Sequence, residues 1–214
     1  MLMQKETSAD YSKPMETKKI TSNDYLVSQW SGGLTTQLLI APPDAVYQPG
    51  NFDYRISSAT IEIEESDFTP LPGYQRIILP LQGKLLLTNH TSGEEVELDQ
   101  FQTYEFSGSD KISSHQPCTD FNIIYKESLK SDLIKITKQS PNIEIESNND
   151  YYLHAVENIS FSMRVNHEEE RWTLAQGQGL WIRQSLTNES ATLIFDAQDS
   201  QNALIALLAK IEYK

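Results

Sequence analysis

Asp53-Tyr54-Arg55-Ile56-Ser57-Ser58-Ala59-Thr60-Ile61-Glu62-Ile63-Glu64 reads as a β-strand, and its parity decides what the fold encloses. Alternate strand residues share a face. Arg55, Ser57, Ala59, Ile61 and Ile63 therefore point one way, and Tyr54, Ile56, Ser58, Thr60, Glu62 and Glu64 the other. Ile61 and Ile63, set against Glu62 and Glu64, mark the first face as inward and carry Arg55 and Ser57 in with it. A buried guanidinium cannot discard its charge, so it must be paired or hydrogen-bonded. Either an internal carboxylate such as Asp53, Asp67 or Asp120 satisfies it, or the carboxylate of a ligand held by two parallel bonds.

Outward from this strand the same grammar repeats. Short segments rich in Ile, Leu, Val, Tyr and Phe are separated by Pro, Gly, Asn, Asp and Ser, which predicts an all-β sandwich or barrel. Strands are expected at 36–41, 53–64, 75–81, 83–89, 94–98, 102–106 and 120–126. After a polar join around 127–141 they are expected at 133–137, 143–146, 150–156, 160–165, 170–175, 179–183, 191–196 and 203–211. The count predicts two β-lobes of similar size, 19–130 and 131–214, after a disordered polar tail over 1–18. The segment Ala203–Ile211 reads as a strand, although Leu204, Leu207, Leu208 and Ile211 also fit a helical stripe. Pro80 inside an apolar run predicts a bulge or an edge position. Glu168-Glu169-Glu170 reads as a solvated hairpin tip, and Trp172 and Trp181 as packing for the second lobe.

Composition removes several function classes. Lys and Arg total 17 against 30 Asp and Glu, a net charge of −13, which disfavours nucleic acid and anionic membranes as partners. The single cysteine, Cys118, allows no intramolecular disulfide and reads as a packing residue. No apolar run reaches the roughly 18 residues of a membrane span, and no secretory h-region is visible. A cytoplasmic setting is therefore expected, with Asn89, Asn158 and Asn188 as chance glycosylation matches. Nucleophile-elbow, phosphate-loop and dinucleotide fingerprints are absent.

The polar side chains that remain point to a small anion. Arg76 stands seven residues before Gly83. Metal-binding cupins carry a glutamate at that distance before a glycine, with His-x-His a few residues upstream. Here the upstream place is Thr69-Pro70-Leu71-Pro72, and His90, His115, His154 and His167 are scattered, mostly in polar, loop-like contexts. No metal or other cofactor is expected. Trp30-Ser31-Gly32-Gly33 reads as a turn into a strand, with glycine N–H groups that either face an anion or serve a plain hairpin. Thr35 and Gln37 share a face. Asn122 is a pocket amide or a turn cap, and Trp30 and Tyr74 are pocket walls or core aromatics.

Together these strings resemble the HutD/Ves family: Trp30-Ser31-Gly32-Gly33 with Thr35 and Gln37, Phe52-x-x-Arg55-Ile56-Ser57-x-Ala59, Ser66-x-Phe68, Gly73-Tyr74-x-Arg76, Leu81-x-Gly83 and Asp120-Phe121-Asn122. They span about 95 residues in the family's order, and the second half adds little. The resemblance implies a bicupin of two cupin-like, double-stranded β-helix (jelly-roll) barrel lobes. It also implies a link to histidine utilisation or to stress responses.

The expectation that follows is a non-catalytic, metal-independent protein that binds a small carboxylate and regulates a pathway. Urocanate and formylated or formiminated glutamate are the ligands the resemblance suggests. Arg55 and Arg76 would fix the carboxylate, Ser57, Thr35, Gln37 and Asn122 would read its polar atoms, and Trp30 and Tyr74 would wall it. No catalytic residue is assigned. The alternatives are an isomerase or hydrolase using Glu62, Glu64 or Asp67 as acid or base, and an interaction module whose arginines are internally paired. A two-fold homodimer is the default assembly.

Overall fold

The computed structural model describes residues 15–140, 142–183, 189–196 and 204–214. The expectations for 1–14, Asn188 and Ala203 lie outside them. Nineteen strands and no helix occur among the described residues, and none of those residues forms a helix long and apolar enough to cross a membrane. The described chain divides into two compact units, Ile20–Leu133 with Lys214, and a second within Ile134–Tyr213 with residues 15–19.

The described chain starts with β1 (Glu16–Ile20). Glu16–Lys18, read from sequence as tail, thus belong to a strand. It lies beside β17 in a sheet of the second unit, where Glu16 pairs with Arg183 at 2.9 Å. Periodicity missed it because two half-buried residues are followed by two exposed ones, with no alternation and a single buried apolar side chain, Ile20.

The first unit is built from β2 (Leu26–Trp30), β3 (Gly33–Ala41), β4 (Tyr54–Ile61), β5 (Glu65–Asp67), β6 (Tyr74–Gln82), β7 (Leu85–Asn89), β8 (Glu94–Leu98), β9 (Tyr104–Ser107), β10 (Ile112–His115) and β11 (Cys118–Lys126). They form a six-stranded sheet, β2-β3-β4-β11-β6-β9, and a four-stranded sheet, β5-β10-β7-β8. Ile61, Ile78 and Cys118 of the larger sheet share one apolar cluster with Leu85, Leu87, Leu98 and Ile112 of the smaller. The second unit contains the end of β12 (Leu129–Thr137) from Ile134 on, then β13 (Ile143–Ile145), β14 (Asn149–Ala155), β15 (Ile159–Val165), β16 (Glu168–Leu174), β17 (Gly179–Arg183), β18 (Ala191–Phe195) and β19 (Leu204–Tyr213). Its sheets run β1-β17-β14-β19-β12 and β13-β18-β15-β16, again around a common core. All four sheets are open, with edge strands left at their ends. The expected barrels are therefore corrected to pairs of open sheets.

Three local readings are refined. β4 stops at Ile61, so Ile63 is 37% exposed and not inward. Pro80 satisfies both options: the β6–β11 register shifts beside it, between Thr119 and Asp120, and β9 pairs only as far as Ile78. The three glutamates lie inside β16, after the turn at Asn166, and Glu169 pairs with Arg164 at 3.0 Å. Residues 204–211 are strand, as the apolar run suggested.

The glycine pair serves the hairpin between β2 and β3. Gly33 has φ +148° and a Cβ there would overlap the carbonyl oxygen of Thr60, while a Cβ on Gly32 would press into the Trp30 ring. Neither glycine lines the cavity described below. Gly33→Ala is expected to destabilise the protein by about 2–3 kcal/mol through backbone overlap and strain, seen as a lower denaturation midpoint. An unchanged midpoint would refute the close approach.

Candidate functional site

The register of the six-stranded sheet stacks the site in rows. Arg55 on β4 and Arg76 on β6 flank Ile124 of β11 in one row. Directly paired residues of an antiparallel sheet share a face, so both guanidiniums leave the same side. Two residues along, Gln37, Ser57 and Asn122 form the next row. Two further along come Thr35, Ala59 and Asp120. These rows floor a cavity of about 290 Å³ whose lining includes Ser28, Trp30, Thr35, Tyr47, Arg55, Ser57, Asp67, Phe68, Thr69, Arg76, Asp120 and Asn122.

Both arginines are nearly fully buried, at 6% and 7% exposure. Arg55 donates from Nε to Gln37 Oε1 at 2.9 Å and from Nη1 to Ser57 Oγ at 3.2 Å, and its guanidinium lies 4.1 Å from the centre of the Tyr47 ring. Arg76 sits 5.1 Å and 5.4 Å from the rings of Phe68 and Phe106. It donates one long bond, 3.4 Å from Nη1 to the Thr69 carbonyl, and its buried Nε has no partner. Burial pulls both guanidiniums below the usual arginine range.

The carboxylates proposed as internal partners are engaged elsewhere. Asp53 pairs with Lys126 at 2.7 Å, Asp67 accepts from Ser113 Oγ at 2.7 Å, and Asp120 Oδ1 accepts the Ala59 N–H at 3.1 Å. Among the described residues no carboxylate reaches ion-pair distance of Arg55 or Arg76. Trp30 Nε1 and Asn122 Oδ1, both on residues lining this cavity, are likewise buried without a partner. An unsatisfied buried polar atom costs about 1–3 kcal/mol, so this cluster is a place where the fold leaves bonds to be completed.

Of the residues expected at the site, Arg55, Arg76, Ser57, Thr35, Trp30 and Asn122 line the cavity. Gln37 stands behind Arg55 and orients it. Tyr74 is displaced from its expected wall. It lies one row beyond Arg76, stacked 4.5 Å from Phe52, with its hydroxyl donating to the Phe52 carbonyl and accepting the Gly50 N–H. Glu62 and Glu64 are exposed and outside the lining. Sequence reasoning weighed Asp120 only as an arginine partner, although its parity with Asn122 places it on the same face. It is 2% exposed, and burial pushes its carboxyl up to about 7 against the opposing pull of the Ala59 N–H and both arginines. Tyr47 comes from the loop after β3, where no periodicity points inward.

Metal-ligand geometry does not converge here. Among the described residues no group of three or more His, Cys, Asp or Glu side chains is placed to hold an ion. His115, outside every expected strand, lies in β10 and bonds Thr88 Oγ1 at 2.8 Å, while His154, within the strand expected at 150–156, is buried in β14. Cys118 packs in the core, its thiol pushed up to about 12 by burial.

Residues 22–203 match the HutD family model. The chain belongs to the HutD family. Solved HutD-like structures agree with the fold. A conserved protein of unknown function from Pseudomonas aeruginosa PAO1, PA5104, superposes with a TM-score of 0.74 at 19% identity, covering 93% of this chain and 100% of that one. HutD from Pseudomonas fluorescens SBW25 gives 0.69 at 20% identity, with the same coverage. The protein Ylba from E. coli gives 0.64 at 7% identity, covering 92% and 91%. The all-β architecture of this HutD-family chain thus has cupin-fold neighbours. No sequence relative is found among curated proteins.

Proposed function

We propose that this HutD-family chain is a non-catalytic, metal-independent cupin-fold protein that binds a small carboxylate and regulates histidine utilisation. One observation carries this reading. Two buried guanidiniums open on one cavity, and among the described residues no carboxylate pairs with either. A planar anion gripped by Arg55 and Arg76 completes the free donors, and charge-assisted bonds of this kind are about twice as strong as neutral ones. Ser57, Thr35 and Asn122 would read the rest of the ligand, with Trp30, Tyr47 and Phe68 as apolar walls. The two units support a bicupin organisation with lobes over 19–130 and 131–214, the site lying in the first.

The reading predicts that one member of a panel of urocanate, histidine, N-formylglutamate and N-formiminoglutamate raises the melting temperature, with or without EDTA. A ligand at a hundredfold excess over its dissociation constant adds about 2.7 kcal/mol. A shift produced by divalent metals alone would overturn the metal-free reading. One observation favours an isomerase or hydrolase instead: Asp120, in the cavity wall with its carboxyl near 7, is poised as an acid or base. Turnover of the bound compound, followed by NMR, would decide for it.

A further inference from the structure

Asp120 lies in the cavity on the middle strand of three, between Ala59 of β4 and Pro80 of β6. Among the described residues its side chain has one hydrogen bond, from the Ala59 N–H to Oδ1. The titratable and charged groups facing it are Arg55 from β4, Arg76 from β6, Tyr47 from the loop after β3, Asp67 from β5, and Cys118 from β11 itself. Neither arginine touches it, so the space between the carboxyl and the two guanidiniums is the space a bound anion would enter.

Resting on the reading that this cavity binds a carboxylate, we propose that Asp120 is a third ligand-contacting group and that the site takes up one proton from solvent with each anion. An ionised Asp120 would face an incoming carboxylate as a second negative charge in a buried site. Protonated, the same group donates an O–H to the anion while its other oxygen keeps the Ala59 N–H. The anion adds to the burial that already favours the neutral acid, so the proton is held more tightly in the complex than in the free protein. Binding therefore strengthens as pH falls, and the ligand class selected is one offering an acceptor oxygen at this end.

The test is calorimetric titration of N-formylglutamate, which has no group titrating near neutrality, into the full chain in Tris and in triethanolamine. The dependence of the heat on buffer ionisation counts protons. Uptake approaching one proton at about pH 8 is expected, with affinity falling roughly tenfold per pH unit above about 7. D120N, an isosteric neutral residue, should bind with no proton exchange and with one affinity across that range. Binding to wild type without proton uptake, or a D120N that keeps the wild-type pH dependence, overturns this inference and leaves the carboxylate site standing. No binding to either protein at any pH overturns the site and the inference together.

Discussion

Replacing Arg55 and Arg76 together by methionine weakens carboxylate binding by at least about a hundredfold and leaves the protein as stable as wild type, or more so. The two halves of this expectation come from one fact, that among the described residues no carboxylate pairs with either charge. In the bound state each guanidinium supplies charge-assisted hydrogen bonds worth about 1.5–3 kcal/mol, so losing both removes several kcal/mol of affinity. In the free protein the same groups are desolvated charges with incomplete hydrogen bonding, and a well-packed apolar side chain of similar length relieves that burden. Titration calorimetry of the responding carboxylate, paired with chemical denaturation of both proteins, measures the two effects. A double variant that binds normally refutes the site. One that loses several kcal/mol of stability shows that the arginines serve the fold as internal ion pairs.

Stability should also respond to pH in a direction unusual for a carboxylate. Asp120 is fully desolvated and its folded-state pKa stands at about 7, above the roughly 3.9 of an unfolded chain. Between those values the folded protein holds a proton that the unfolded chain releases, so stability falls as pH rises from about 4 to about 7 and stays low above it. The displacement corresponds to about 4 kcal/mol at most. D120N removes this slope and is expected to raise stability by about 4 kcal/mol at about pH 8 but only by about 1.5 kcal/mol at about pH 5. Urea denaturation midpoints of wild type and D120N at the two pH values measure it. Equal pH slopes for the two proteins would mean that Asp120 is solvated and ionised in the native state.

Strand parity carried the inner face of β4 from the sequence to Arg55 and Ser57, because two-residue alternation is a local property and no bulge interrupts β4 between Tyr54 and Ile61 on its β11 side. The same logic, carried two residues back from Asn122, reaches Asp120. It was not drawn because a buried aspartate looks first like an arginine's partner. Tyr74 shows the opposite limit. It shares the face of Arg76, yet whether a row opens on a cavity or lies under a loop depends on the excursion between β3 and β4, whose Pro and Gly residues give a turn but not its path. β1, β2, β5 and β10 escaped for a similar reason. They are three to five residues long, too short for alternation to stand out from polar surroundings, and all but β2, which pairs with its hairpin neighbour β3, are placed by partners distant in sequence.

Trp30 lines the cavity with its ring nitrogen unbonded, and the other two tryptophans, Trp172 and Trp181, belong to the second unit. The first unit therefore carries a single indole chromophore set in the wall of the cavity itself. Its emission depends on the polarity and hydrogen bonding around that nitrogen, so filling the cavity is converted into an optical signal without any label.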